Sequence, residues 1–267
     1  MKKDLEILVT NDDGFDAPGI NALALMLREF GNVTVVAPLT AQSGMSASFT
    51  MVRPLRLNLL DREEARGGLG SIRRYSLDGT PVDCAKMGIN ICLDEGFKPD
   101  FVASGINHGS NASSASIYSG TLGAAREGTL YGIPSAGFSI DSHDTSADLS
   151  AVINHSRALV RDILRDDLTE GTFLNINFPP LPEEKIKGTR MTVQGRGRWE
   201  KEFRRRTDPR GRDYYWIVGE FVDLEDGTSP AADHNLLSDG WITVTPMKVD
   251  ETDEAERVRL AKLWNLE

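Results

Sequence analysis

Four short stretches of this sequence carry side chains that could do chemistry. The first is Asn11-Asp12-Asp13-Gly14, which closes the mostly apolar run Leu5-Glu6-Ile7-Leu8-Val9-Thr10. Two adjacent carboxylates on a tight turn repel each other unless a cation lies between them and their surroundings. The second is Gln42-Ser43-Gly44, reached through Ala37-Pro38, and the third is Asn107-His108-Gly109, reached through Ser104-Gly105. Together the three offer carboxylate, hydroxyl and amide oxygens, a donor set that suits hard ions such as Mg²⁺ or Mn²⁺. Asp-Gly is also a common turn pair, so plain turn chemistry is the other reading of Asp12-Asp13. The fourth stretch is Ile117-Tyr118-Ser119-Gly120-Thr121, ahead of a helical segment. Free backbone N–H groups and the positive dipole end make such a junction an anion site, and Ser119 and Thr121 add hydroxyls. An ordinary Ser/Thr helix cap is the alternative. His108 is a candidate acid or base, although a single histidine reads as readily as a structural residue.

These stretches need elements to hold them. The pattern predicts a buried strand over 5–10. A helix opened by Pro18 follows, with Ile20, Leu23, Leu27 and Phe30 on one face and Gly31 as its stop. A second strand over 33–37 ends at Pro38, and the resulting βαβ unit implies a parallel crossover. Residues 61–71 are charged and Gly-rich and read as a surface loop or hairpin. Thr80-Pro81-Val82-Asp83 is a helix start with a capping box, and Val82, Ala85, Ile89 and Leu93 are its expected buried face. A strand over 99–105 leads into the small and polar residues 106–121. A helix over about 121–131 follows, whose Gly123, Ala124, Ala125 and Gly128 imply close backbone packing. A strand over 133–138, a long helix marked by Leu149, Val152, Leu159, Val160 and Ile163, and a strand over 173–178 complete the alternation. This order argues for an α/β fold, a Rossmann-like doubly wound and mostly parallel sheet. In such sheets ligands bind outside the carboxyl ends of the strands, where the first three stretches fall.

The character changes beyond Phe178. Residues 196–212 hold eight basic and three acidic residues. Tyr214–Val218 and Trp241–Thr245 read as strands of a smaller β element, and an amphipathic helix with Val258, Ala261, Leu263 and Trp264 ends the chain. We therefore expect one unit over 1–267, with a catalytic core over 1–185 and a C-terminal extension over 186–267. The extension would form a β-rich arm used in oligomerisation.

Composition narrows the function classes. The chain has 267 residues, with 30 Lys+Arg against 40 Asp+Glu and a net charge of −10. An acidic surface repels a polyphosphate backbone, which argues against stable nucleic-acid binding, whereas a small phosphate ester can bind where the site brings its own positive charge. No apolar run approaches the ~18–20 residues of a spanning helix, so no membrane partner is expected. Met1-Lys2-Lys3-Asp4-Leu5-Glu6 has no apolar signal-peptide region. Cys84 and Cys92 fall eight residues apart in one expected helix, ~12 Å between Cα atoms, too far for a disulfide. Reduced thiols imply a cytoplasmic protein.

Taken together, the motifs resemble those of the SurE family (survival protein E), metal-dependent nucleoside monophosphate phosphatases. The resemblance rests on Ile7-Leu8-Val9-Thr10-Asn11-Asp12-Asp13-Gly14 with Asp16-Ala17-Pro18-Gly19-Ile20, and on Val35-Val36-Ala37-Pro38 with Gln42-Ser43-Gly44. It continues through Leu77-Asp78-Gly79-Thr80-Pro81-Val82-Asp83-Cys84, Ser104-Gly105-Ile106-Asn107-His108-Gly109-Ser110-Asn111 and Tyr118-Ser119-Gly120-Thr121, in the family's order. It implies one divalent ion per subunit, Mg²⁺ or Mn²⁺, held by Asp12, Asp13, Ser43 and Asn107. It implies nucleoside 5′- and 3′-monophosphates as substrates and a homodimer or homotetramer built through the C-terminal arm. Asn11, Asn111, Ser119, Gly120 and Thr121 would bind phosphate, and Asp12 and Asp13 are the expected catalytic residues. Two stretches depart from the family pattern, Leu39-Thr40-Ala41 and Ala112-Ser113-Ser114-Ala115-Ser116, and both border the expected pocket.

Three rivals are weighed against this reading. A receiver-like signalling module needs a phospho-accepting Asp where Asn107 stands. A haloacid-dehalogenase-type phosphatase needs an Asp-x-Asp that Asn11-Asp12-Asp13-Gly14 lacks. A nucleotide- or phosphate-binding regulatory protein without turnover is separated from an enzyme by metal-dependent phosphate release.

Overall fold

Five of the six residues of Leu5–Thr10 are buried, a pattern that a strand acquires only with helices covering both faces of its sheet. In the computed structural model, which describes residues 5–225 and 229–266, this segment is β1. The charged start Met1–Asp4, read above against a signal peptide, lies outside the described residues. Next come α1 (Pro18–Leu27), β2 (Gly31–Pro38), β3 (Leu57–Glu63), β4 (Ile72–Leu77), α2 (Pro81–Asp94) and β5 (Phe101–His108). The chain continues through α3 (Ala115–Tyr118), α4 (Gly120–Leu130), β6 (Ser135–Ile140), α5 (Ser150–Asp166) and β7 (Thr172–Phe178). The remainder holds β8 (Thr189–Met191), β9 (Gly197–Glu200), β10 (Phe203–Thr207), β11 (Asp213–Ile217), β12 (Glu220–Asp223), α6 (Asp233–Ser238), β13 (Ile242–Lys248) and α7 (Glu254–Trp264).

Nine strands form one sheet in the order β3-β4-β2-β1-β5-β6-β7-β13-β8. The run from β4 to β7 is parallel, while β3 is antiparallel to β4 and β13 to β7. The chain builds outward from β1 through β2 and β4, then returns to β5 and builds the other way. The crevice between the ends of β1 and β5 is thus the topological switch point of a doubly wound sheet. Alternate side chains of β1 serve opposite faces. Ile7 and Val9 join Ile20, Leu23, Leu27, Val152 and Val160 on one side, whereas Leu8 joins Val36, Leu77, Cys84, Ile89 and Val102 on the other. The small residues of α4 permit the close packing that the sequence implies: a Cβ on Gly123 would stand 2.1 Å from the Ser46 carbonyl oxygen.

Several elements differ from the sequence reading. The first helix ends at Leu27, and Arg28–Phe30 turn the chain, because buried Arg28 is drawn to the Gly70 carbonyl and Glu63, both at 2.9 Å. Gly31 opens β2 instead of merely ending a helix. The stretch around 61–71 is a hairpin whose second strand, β4, lies inside the sheet. Its polar Arg73-Arg74 hides a strand whose charges are neutralised laterally, Arg73 by Glu95 at 2.5 Å and Arg74 by Asp61 at 2.7 Å. Leu93 is exposed although it is in phase with the buried Val82, Ala85, Ile89 and Cys92, because it stands in the last turn of α2. Trp241–Thr245 is no part of the smaller β element: Ile242–Lys248 is β13 of the central sheet, with Ile242 and Val244 buried against the core. The basic stretch itself forms two small ribbons, β9 with β12 and β10 with β11. Both cysteines are buried and free.

The capping box at α2 does more than start a helix. Asp83 accepts the Thr80 N–H at 2.9 Å, and its own N–H reaches Thr80 Oγ1 at 3.1 Å. The same carboxylate accepts the Thr50 N–H at 2.9 Å and the Thr50 hydroxyl at 2.7 Å, which ties down the loop after β2. Burial pushes the Asp83 pKa up, but these bonds from Thr50 and Thr80 outweigh it and hold the carboxyl below its ordinary value. A lowered folded pKa stabilises above the unfolded value and is lost as pH falls through the folded one. Asp83→Ala should cost about 2–3 kcal/mol at pH 7 from stranded donors. In urea melts the gap should narrow near pH 3. An equal gap at both pH values would contradict this role.

Candidate active site at the switch point

β1 ends at Thr10, and the chain turns sharply as Asn11 Nδ2 donates to the Gly14 carbonyl at 2.8 Å. The turn places Asp12 inward, only 4% exposed, with Asp13 beside it and half-buried. The Thr121 hydroxyl donates to Asp12 Oδ1. Burial pushes the Asp12 carboxyl up to about 6, the Thr121 hydroxyl pulls it down, and the Asp13 charge pushes it up. The Gln42 N–H donates to the Asp12 carbonyl at 2.7 Å, so the loop carrying Ser43 is tied to the turn. Ser43 itself is exposed, one residue beyond that tie.

β5 delivers the third group. Its register against β6 shifts between Ser104 and Asn107, a bulge that re-aims Asn107 and His108 at the strand end. Asn107 Nδ2 donates to the Gly109 carbonyl at 2.6 Å, which leaves its Oδ1 as a free acceptor. The His108 N–H donates to Asp13 Oδ2 at 3.1 Å, and its largely buried ring sets Nδ1 3.5 Å from the same oxygen. Asp12, Asp13, Asn107 and Thr121 are therefore brought together, with Ser43 on an adjoining loop.

The start of α4 abuts this cluster. A Cβ on Gly120 would meet Asp12 Cβ and Pro81 Cγ at 3.0 Å and Asp12 Oδ2 at 3.1 Å, so only glycine lets the helix terminus come this close. Ser119 is the N-cap, and its Oγ accepts the Leu122 N–H at 3.1 Å. The two hydroxyls of this stretch are thus engaged, Ser119 by its helix and Thr121 by Asp12. Asn111 lies in a buried amide knot. Its N–H donates to Asn177 Oδ1 at 2.8 Å, its Nδ2 to Ser139 Oγ at 2.8 Å, and its carbonyl accepts Asn175 Nδ2 at 2.9 Å. Sequence reasoning missed Asn175, Asn177 and Ser139; the signal was present in two fully buried amides alternating with apolar residues along a strand.

The donor chemistry fits a hard divalent cation. Among the described residues no group of three or more His, Cys, Asp and Glu side chains is gathered, so the candidate donors are two carboxylates and neutral oxygens. Asn11 Oδ1 is buried without a hydrogen-bond partner, and Asp12 is held in a setting that disfavours its charge. Both features call for positive charge or donors in the crevice.

An open, doubly wound α/β sheet with paired acids after its first strand, set against a helix N-terminus at the switch point, is a ligand-binding α/β protein of the phosphate-site type. A family model described as survival protein SurE matches residues 7–201. The 5′-nucleotidase SurE of Flavobacterium psychrophilum is 42% identical over 266 residues, covering 100% of this chain and 99% of that protein. The 5′-nucleotidase SurE of Chlorobaculum tepidum is 40% identical, covering 98% and 95%. The crystal structure of the SurE protein from Aquifex aeolicus superposes with a TM-score of 0.79 at 34% identity, covering 97% of this chain and 99% of that one. The chain belongs to the SurE family.

Proposed function

We propose that this chain is a divalent-metal-dependent phosphomonoesterase that hydrolyses nucleoside 5′-monophosphates, and 3′-monophosphates, to nucleoside and phosphate. The observation that carries the reading is the meeting of Asp12, Asp13 and Asn107 with the α4 N-terminus at the switch point. Relatives about 40% identical over nearly the whole chain bear the name 5′-nucleotidase, which supports the same reading.

Asp12, Asp13, Ser43 and Asn107 would hold one Mg²⁺ or Mn²⁺. When bound, such an ion polarises a phosphoryl oxygen and lowers the pKa of a bound water. Asp12 would take the proton of the attacking water, since a carboxylate beside the ion can serve as ligand and base at once. The Thr121 hydroxyl keeps that carboxylate from turning away. Phosphate oxygens lie against the first turn of α4, at Ser119, Gly120 and Thr121, with Asn11 and Asn111 beside them. With both hydroxyls engaged, the backbone N–H groups and the dipole of α4 are the main donors there.

The test is phosphate release by the pure protein from nucleoside 5′- and 3′-monophosphates and from non-nucleotide phosphomonoesters, with Mg²⁺, Mn²⁺ or chelator. Metal-dependent release, fastest from nucleotides, is expected. Release from none of them in any metal would leave a nucleotide-binding regulatory protein without turnover.

We also propose that the protein is a homodimer or homotetramer joined through residues of about 195–250, in the reducing cytoplasm that suits its free thiols. β10 and β11 are exposed along their whole length, with Phe203, Tyr215, Trp216 and Ile217 all more than half exposed, and α7 has no buried residue. Apolar surface of this extent is unusual on a monomer. Sedimentation at micromolar concentration should show an oligomer; an active monomer would refute the assignment. No helix among the described residues is long and apolar enough to cross a membrane.

A further inference from the structure

The loop from Gly109 to Ser119 joins the Asn107 strand end to the α4 terminus, and residues far along the chain grip its middle. The Ser113 N–H donates to both oxygens of Asp233 at 3.0 Å, across 120 residues. The same carboxylate accepts the Gly195 N–H at 3.0 Å and the His234 N–H at 2.8 Å. The Ser113 hydroxyl donates to the Gly195 carbonyl at 2.9 Å, and Gln194 Nε2 donates to Ser116 Oγ at 3.0 Å. Asp233 is fully buried, and a buried carboxylate is costly unless its oxygens are satisfied as completely as they are here. Ser113 has φ +54°, a backbone that a serine rarely holds without outside support.

The loop has three anchors. Asn175 and Asn177 bind Asn111 at its start, and Ser46 binds its end, donating its N–H to the Tyr118 carbonyl at 3.0 Å and its hydroxyl to the Ile117 carbonyl at 2.7 Å. Asp233, the first residue of α6, supplies the middle one. We propose that Asp233 is a positioning residue for the phosphate-binding segment: by fixing Ser113 it sets where Asn111 and the Ser119–Gly120 terminus stand relative to Asp12. The proposal rests on the reading of those residues as phosphate-binding. The metal-side groups Asp12, Asp13 and Asn107 are carried by the ends of β1 and β5, and of these Asp12 alone meets the clamped segment, through the Thr121 hydroxyl.

The test uses full-length Asp233→Ala and Asp233→Asn, the latter retaining one acceptor oxygen. Three quantities are measured: Mn²⁺ affinity by calorimetry, inorganic phosphate affinity of the Mn²⁺-loaded protein from the shift in thermal unfolding, and kcat and KM on a nucleoside monophosphate. For Asp233→Ala, Mn²⁺ affinity should stay within about threefold, while phosphate affinity weakens and KM rises by about tenfold or more. Asp233→Asn should fall between wild type and Ala, and it carries the test if Ala does not fold. Unchanged phosphate affinity in a folded variant would show that Asp233 serves the arm alone. Equal loss of Mn²⁺ and phosphate affinity would show general collapse of the site and equally overturn the proposal. A wild type that binds phosphate but releases none from nucleotides would sink the nucleotidase reading while leaving the phosphate comparison intact.

Discussion

Asp12→Asn should abolish phosphate release and, at the same time, make the metal-free protein more stable at neutral pH. The Asp12 carboxyl is buried, and its pKa rises from 3.8 to about 6. A folded-state pKa above the unfolded one means that the group supports folding fully only below pH 3.8, and that this support is lost as pH rises through about 6. Above that range the fold carries a desolvated charge, at a cost on the order of 3 kcal/mol for a two-unit shift. Asparagine removes the charge and keeps an oxygen to accept the Thr121 hydroxyl. The metal-free variant should gain about 1–3 kcal/mol over wild type at pH 8 and nothing at pH 4. Saturating Mn²⁺ should stabilise wild type far more than the variant, and kcat/KM should drop by about a thousandfold or more, roughly 4 kcal/mol of transition-state stabilisation. A variant less stable than wild type at pH 8 without metal would contradict the burial account.

Gly120→Val should disable the site through Asp12 as well as through phosphate. From the sequence, a side chain at 120 is expected to obstruct the phosphate and spare the metal ligands. The structure changes that expectation, because the new Cβ would press on Asp12 Cβ and Oδ2 at 3.0 and 3.1 Å and on Pro81. Both Mn²⁺ and phosphate affinity should fall, and kcat/KM should drop by about a hundredfold or more, roughly 2.7 kcal/mol. Thermal unfolding of the Mn²⁺-loaded variant should show no protection by inorganic phosphate; wild-type protection in the variant would move the cradle elsewhere. Thr121→Ala is the milder companion. It removes the hydroxyl that draws the Asp12 pKa down, so the acid limb of kcat/KM should shift to higher pH.

Much of the core was legible because its strands are two-sided. Runs such as Leu5–Thr10 and Thr172–Phe178 announce burial by composition, and Thr80-Pro81-Val82-Asp83 announces a helix by its capping chemistry. What escaped notice depended on partners distant in sequence. β4 reads as polar until Asp61, Glu63 and Glu95 neutralise its arginines, and β13 reads as part of the arm until it pairs with β7. At the site, the residue types and strand ends were legible in advance, whereas the allocation of hydroxyls was not. Whether Thr121 faces a ligand or Asp12 depends on how closely α4 approaches β1, which the glycine at 120 permits but does not dictate. Asp233 gave no sequence signal beyond an Asp before a short helix, since its partners lie 38 and 120 residues away.

On the proposed reading, the cation and the phosphoryl chemistry share the crevice between β1 and β5. Anomalous scattering from a Mn²⁺-soaked crystal tests this most directly. It should place a peak within coordination distance of carboxylate oxygens of Asp12 and Asp13 and of Asn107 Oδ1, with Ser43 completing the protein donors. A peak held by other side chains, or an empty crevice in protein whose phosphate release requires Mn²⁺, would contradict the assignment.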